Sequence, residues 1–228
     1  MRRLKNPMIK YIDISLPVTS ELPGWPGSQK FTVSKSHDIN NGDEETNSTI
    51  SMNLHTGTHI DAPSHFIRDG KTVEQIPLEL MIGSAAVVRV PEEIKEITAD
   101  ILSMINIPSG TKRLLLHTAN SSLWDKYKNH FYKDFTALSS DGAEWLVAAG
   151  IKLVGIDYLS IQRFSDGPQV HQILLSAEVI IIEGLNLSDV DAGSYQLYCM
   201  PLRLQGLEAA PARVLLGYDE SKDIEDNA

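Results

Sequence analysis

Leu153-Val154-Gly155-Ile156, a loop, a helical stretch around Gln172 to Ser176, and then Val179-Ile180-Ile181-Ile182 make up the segment that decides the fold. Each apolar run has the length of a short strand buried on both faces. Strand, helix and strand in that order need a crossover, which lays parallel strands in one sheet with a helix packed on it. Upstream, Ala85-Ala86-Val87-Val88-Arg89-Val90 and Leu114-Leu115-Leu116 read as strands of the same kind. Thr98 can cap a helix running to Met104, because its hydroxyl can accept from a first-turn N–H. Ser139 or Ser140 caps another helix, which carries Trp145, Leu146 and Ala149 and ends at Gly150, a residue suited to the left-handed position past a helix end.

The flanks follow a different pattern. Tyr11 to Leu16, Phe31 to Lys35 and Thr49 to Leu54 alternate apolar and polar residues, as strands with one buried face do. The strands before Gly57 and after Gln196 look hairpin-like. The expected fold class is therefore α/β, a mixed sheet with crossover helices, in a single domain over residues 1–228. The polar stretch Asn120 to Lys133 reads as a long surface excursion, and the acidic tail after Tyr218 as a frayed end.

Composition narrows the function. The chain has 228 residues, 42% hydrophobic and 22% charged, enough for a sizeable core. Its formal charge of −10 argues against a nucleic-acid or anionic-membrane partner. Cys199 is the one cysteine, so neither an intrachain disulfide nor a cysteine-based zinc cluster can form, which fits a reducing cytoplasm. Cys199 itself, within the strand-like Leu197 to Met200, reads as a small buried hydrophobe. The basic Met1 to Lys5 is not followed by an apolar signal-peptide core, and the aliphatic run Val179 to Ile182 is far short of the roughly 20 residues that span a bilayer. A soluble protein acting on a small molecule is the expectation.

The chemistry concentrates in His55-Thr56-Gly57-Thr58-His59-Ile60-Asp61-Ala62-Pro63-Ser64-His65, directly after an alternating segment. Two imidazoles and a carboxylate, from His55, His59 and Asp61, suit zinc and also manganese or iron. Gly57 and the β-branched Thr56, Thr58 and Ile60 argue against a helix, so a tight turn at Gly57 is expected to fold both histidines onto one ion. Pro63 biases Ala62 toward an extended conformation and carries His65 past the ligands, where it can serve as acid/base. The alternative, a purely structural His-rich turn, is weakened by the clustering. Glu183 closes a buried aliphatic strand and so needs a partner. From the residues alone, His171 and Glu183 fit a structural ion pair as well as they fit metal ligands.

Other candidates stand more alone. Leu22-Pro23-Gly24-Trp25-Pro26-Gly27 forces turns that present an indole, so Trp25 is either core or a ligand contact. Asp157 and Ser160 follow a strand and either orient a ligand from behind or simply close a loop. His37, His117 and His130 read as structural or exposed.

The His55 to His65 motif resembles that of the metal-dependent cyclase family, which includes bacterial kynurenine formamidases and isatin hydrolases. The likeness extends to Asp13-Ile14-Ser15 with the Pro26-Gly27 turn, to Gly155-Ile156-Asp157 with Ser160, and to His171 through Glu183. It implies a barrel-like domain of the swivelling β/β/α type and a homodimer or higher homo-oligomer. It also implies two divalent ions per subunit, zinc foremost and manganese next. One ion would lie on His55, His59 and Asp61, the other on Asp61, His171 and Glu183, with Asp61 bridging. His65 matches the family's catalytic histidine, and Trp25 falls where an aromatic residue meets the substrate ring. The implied reaction is hydrolysis of an aryl formamide, N-formyl-L-kynurenine to L-kynurenine and formate; a cyclic amide such as isatin and a non-catalytic metal-binding role are the rivals. Two departures bear on the substrate: Ser28 stands where the family often has an acid after Pro-Gly, and Glu208-Ala209 where it often has Asp-Gly.

Overall fold

The computed structural model describes residues 8–219; the basic Met1 to Lys5 segment and the tail beyond Asp219, both read above, lie outside them. In chain order the strands are β1 Ile9–Asp13, β2 Thr32–His37, β3 Asn47–Ser51, β4 His59–Asp61, β5 Ile82–Arg89, β6 Glu96–Ile97, β7 Arg113–His117, β8 Ala137–Leu138, β9 Leu153–Ile156, β10 Ile180–Glu183, β11 Gly193–Pro201 and β12 Ala209–Asp219. The helices are α1 Leu78–Met81, α2 Ala99–Met104, α3 Leu123–Lys126, α4 Ser140–Ala148 and α5 Gln169–Ser176. Thr98 and Ser139 cap α2 and α4 as expected, and Gly150 takes φ +75°.

The main sheet runs β1-β12-β11-β5-β7-β9-β10-β4, and β4 pairs back onto β12, so seven strands close into a barrel. Strands β5, β7, β9 and β10 form its parallel run. The hairpin β11–β12 and the short β4 complete it in antiparallel fashion. Closure depends on the eleven residues of β12, whose first three pair with β4 while Leu215 to Asp219 pair with β1. Among the described residues no helix is long and apolar enough to cross a membrane.

The central residues of the parallel strands are apolar in unbroken runs because each face meets a different core. Ala85, Val87, Leu115, Leu153, Ile180 and Ile182 fill the barrel interior, together with Ile14, Ile60, Cys199 and Leu216. Ala86, Val88, Leu114, Leu116, Val154, Ile156 and Ile181 point outward, onto Leu102 of α2, Leu146 of α4 and Leu174 of α5. Strands covered on both sides lose the alternation that marks a half-exposed strand. Along the first segment the alternation does hold, with Ile14 and Leu16 buried and Asp13 and Ser15 more exposed.

Two expectations need correction. The strands around Phe31 to Lys35 and Thr49 to Leu54 do pair as a hairpin, β2 with β3, but neither has a buried face; Val33 and Ile50, directly opposite each other, are 52% and 57% exposed. Nor is the stretch after Asn120 simply a surface excursion. Asn120, Ser121 and Trp124 are buried, and the Trp124 indole N–H donates to the Leu185 carbonyl at 2.9 Å.

Asp157 explains that burial. Its carboxylate accepts from the Thr118 amide and hydroxyl at 3.0 and 2.7 Å and from the Ser121 amide and hydroxyl at 3.1 and 2.7 Å. The Ser121 hydroxyl in turn accepts from the Leu187 amide. Burial outweighs these four donors and pushes the Asp157 carboxyl up to about 6. The residue thus closes the loop, tying the turn after β7 to the end of β9, which is the loop-closing one of the two readings. Asp157→Ala strands two backbone amides and is expected to cost about 3 kcal/mol in urea unfolding, with a smaller loss for Asp157→Asn, which keeps an acceptor. A loss below about 1 kcal/mol for the alanine variant would contradict this reading.

Candidate metal centre

Side-chain alternation builds the site. Ile60 and Ile182 face the barrel interior, so their strand neighbours His59, Asp61 and Glu183 face out on the same surface as Ile181. The antiparallel register sets His59 opposite Glu183 and Asp61 opposite Ile181. Helix α5 lies over this surface and lowers His171 onto it; its Val170, Leu174 and Leu175 share the outer core with Ile181. His55 arrives from the loop before β4. The turn between them needs Gly57, at φ +70°, packed against Gly184, also at φ +70°. A Cβ on Gly184 would stand 2.2 Å from the Gly57 carbonyl oxygen, so only glycine allows the two turns to touch. The Thr58 hydroxyl fastens them by donating to the Gly184 carbonyl at 2.5 Å.

The expected turn is therefore real, but it delivers only His55. His59 and Asp61 owe their shared direction to being two apart on a strand. Downstream, Ala62 is extended, and Pro63 opens a single 3-10 turn, Pro63–His65, that brings His65 back over His55 with ring centroids 4.3 Å apart.

Asp61 sits at the middle. His55 Nδ1 is 3.0 Å and His59 Nε2 3.5 Å from its Oδ1, while His171 Nε2 is 3.5 Å from its Oδ2. Glu183 completes the ring, with Oε2 3.6 Å from His59 Nε2 and Oε1 3.1 Å from His171 Nε2. Both Asp61 oxygens and His59 Nε2 are fully buried without an aligned hydrogen bond. Buried polar atoms in that state are rare and costly. His171 Nε2 and Glu183 Oε1 hydrogen-bond each other, whereas the Asp61 oxygens and His59 Nε2 converge without bonding, which suits a shared cation. The chain offers two such groups, His55-His59-Asp61 and Asp61-His171-Glu183, which have Asp61 in common.

Electrostatics makes the same demand. For His171, burial pulls the imidazole down, but Asp61 and Glu183 outweigh it and push it up to about 9. His59 is likewise raised against its burial by the same two carboxylates. Asp61, despite burial, is held well below the usual carboxylate range by the three imidazoles. Two buried carboxylates call for positive charge here, and the donor set, imidazole nitrogen with carboxylate oxygen, suits a divalent metal.

His65 belongs to neither donor group. Burial lowers it below the ordinary histidine value, so it is neutral near pH 7. It lines a cleft over the cluster together with Trp25, Phe66, Ser160 and Gln162. Trp25 packs at 5.3 Å on Phe131 and 5.2 Å on Phe164, and these two pack at 5.0 Å on each other. Ser160 closes a turn by accepting from the Gln162 amide. Sequence reasoning missed Phe131, Phe164, Phe66 and Gln162, which come from loops and carry no pattern of their own. His37 and His130 are exposed, while His117 is buried with Nδ1 on the Val190 carbonyl.

Comparison with known proteins agrees with this geometry. The family described as "Putative cyclase" matches residues 12–163. The chain belongs to the cyclase family. Cyclase-like protein 1 of Arabidopsis thaliana is 37% identical over 216 residues, covering 91% of this chain and 84% of the relative. A kynurenine formamidase of Bacillus mycoides (strain KBAB4) is 31% identical over 208 residues, covering 91% and 97%. A solved structure described as a potential metal-dependent hydrolase with cyclase activity superposes with a TM-score of 0.79 at 36% identity, covering 93% of this chain and 99% of its own. This cyclase-family chain is accordingly a hydrolase.

Binding to these donors predicts a thermodynamic signature. Zinc or manganese at 100 times its dissociation constant is expected to stabilise the chelator-stripped protein by about 2.7 kcal/mol, seen as a higher melting temperature. Protons compete for the same imidazole nitrogens, so the gain should shrink between pH 8 and pH 6. A melting temperature indifferent to both metals would contradict a metal centre.

Proposed function

We propose that this hydrolase cleaves aryl formamides, with N-formyl-L-kynurenine, giving L-kynurenine and formate, as its leading substrate. The observation that carries the reading is the buried five-donor cluster with His65 beside it and Trp25, itself packed on Phe131 and Phe164, lining the same cleft. A full-length kynurenine formamidase relative supports the substrate class.

In this proposal His55, His59 and Asp61 hold one divalent ion and Asp61, His171 and Glu183 a second, with zinc the leading metal and manganese the next. When bound, such ions lower the pKa of water and polarise a carbonyl. The chain's own residues do the rest. Trp25 and its two phenylalanine neighbours offer ring edges and faces to the substrate's aryl group and fix the formamide over the cluster. His65, neutral and outside the donor set, takes the proton from the attacking water as its oxygen adds to the formyl carbon. It returns that proton to the aniline nitrogen as the C–N bond breaks, so the free amine and formic acid leave, the acid ionising to formate and a proton in water, and the histidine is neutral again. A homodimer or higher homo-oligomer in the cytoplasm belongs to the same proposal, supported by the exposed β2–β3 ribbon, since an isolated two-stranded ribbon is marginal in water.

Turnover of N-formyl-L-kynurenine and of isatin by stripped protein, before and after reloading with zinc or manganese, tests the reading. Metal-restored release of kynurenine supports it; a fully metallated protein that opens only isatin moves the assignment to cyclic amides, and one inert to both favours a binding role. His65→Ala is expected to keep its metal and lose about 10²- to 10⁴-fold in kcat, whereas Asp61→Ala should lose the metal. Unchanged turnover in the first or full occupancy in the second would refute the role assigned.

A further inference from the structure

Each imidazole of the cluster has two nitrogens, and the one facing away decides what the inner one can do. For His59 the outer Nδ1 lies 2.9 Å from the Gly57 carbonyl. A carbonyl only accepts, so Nδ1 carries a proton, and in the neutral ring that a metal requires Nε2 presents its lone pair toward Asp61 and Glu183. For His55 the outer Nε2 lies 3.7 Å from Glu208 Oε1, too far for a hydrogen bond. His171 is different: its outer Nδ1 meets a side chain, Gln162 Oε1, at 2.8 Å. Among the described residues this is the one side-chain hydrogen bond to the outer nitrogen of a cluster histidine.

We infer that Gln162 is a positioning residue, whose side-chain carbonyl holds His171 in the Nδ1–H form and so turns the Nε2 lone pair toward Asp61 and Glu183. The inference rests on the metal reading above. A reversed amide would donate to Nδ1 and move the proton to Nε2, where it would occupy the position the ion needs. Carbonyl-in agrees with the same tautomer at His59, enforced there by a group that cannot be reversed.

The surrounding contacts fit a device built to aim this ring. Phe66 stacks on His171 with centroids 4.7 Å apart and planes 30° from parallel, which fixes the ring plane. The Gln162 backbone N–H donates to the Ser160 hydroxyl at 3.3 Å, and the neighbouring Ile161 backbone N–H donates to Glu183 Oε1 at 2.7 Å. One three-residue stretch thus orients both His171 and Glu183, which share a single donor group. It does so from outside the donor set, and outer partners of metal-bound imidazoles commonly govern affinity by 10- to 100-fold.

Zinc affinity measured against a chromophoric chelator, with stoichiometry, in the wild type, Gln162→Leu and Gln162→Glu tests this, alongside nitrogen chemical shifts of the His171 ring in the zinc-loaded wild type. The expected result is a ring bearing its proton on Nδ1, a 10- to 100-fold weaker zinc site in Gln162→Leu, and affinity in Gln162→Glu, which keeps an acceptor oxygen, within a few-fold of wild type or tighter. Circular dichroism confirms that the leucine variant folds. Equal zinc affinity in wild type and Gln162→Leu, or a proton on Nε2, would overturn the role of Gln162 and leave the metal centre standing. A wild type that binds no zinc or manganese would instead refute the metal reading, and this inference with it.

Discussion

The region around the cluster depends on a single carboxylate. Asp61 is 0% exposed, both its oxygens lack an aligned donor, and three imidazoles crowd against it. A buried charge in that state is expensive unless opposite charge is brought to it. Strand β4 holds it there by pairing on both edges, with β10 on one side and the start of β12 on the other. The barrel therefore cannot close without carrying Asp61 and His59 into the position where they meet Glu183. Fold and site share one set of hydrogen bonds.

That coupling explains why the site is built mostly on regular elements. His59, Asp61 and Glu183 are strand residues and His171 a helix residue, so their directions follow from periodicity and from packing of α5 on Ile181. Trp25, which lines the cleft, and the Phe131 and Phe164 rings that pack on it lie outside helices and strands. A rigid donor set under a loop-built rim allows the rim to change while the cluster is kept, consistent with a family whose members differ in what they act on.

Much of this was legible in the sequence, for identifiable reasons. The aliphatic runs at 85–90, 114–116, 153–156 and 179–182 fall on strands buried on both faces, and runs this short suit such strands better than helices. Thr98, Ser139 and Gly150 marked helix ends because capping is local chemistry. The motif from His55 to His65, with His171 and Glu183, delivered residues that the fold does bring together. What stayed hidden is non-local. The pairing of β4 with β12 joins residues nearly 150 positions apart, and three residues are too few to show a period. The exposure of β2 and β3 has no local signature, because a ribbon whose alternation meets no core reads like one that does. Asp157 stayed open between two readings because its donors, Thr118 and Ser121, are distant in sequence. Gln162 was invisible because a loop glutamine carries no pattern that shows which side chain its amide meets.

The central claim is that the converging atoms of Asp61 and its neighbours are ligands. Anomalous diffraction from crystals grown with zinc, collected on both sides of the zinc edge, tests it most directly. The account predicts anomalous peaks beside Asp61, at about 2.0–2.2 Å from the imidazole nitrogens and carboxylate oxygens of both donor groups. No peak at that position, with Asp61 instead hydrogen-bonded to protonated imidazoles, would contradict it.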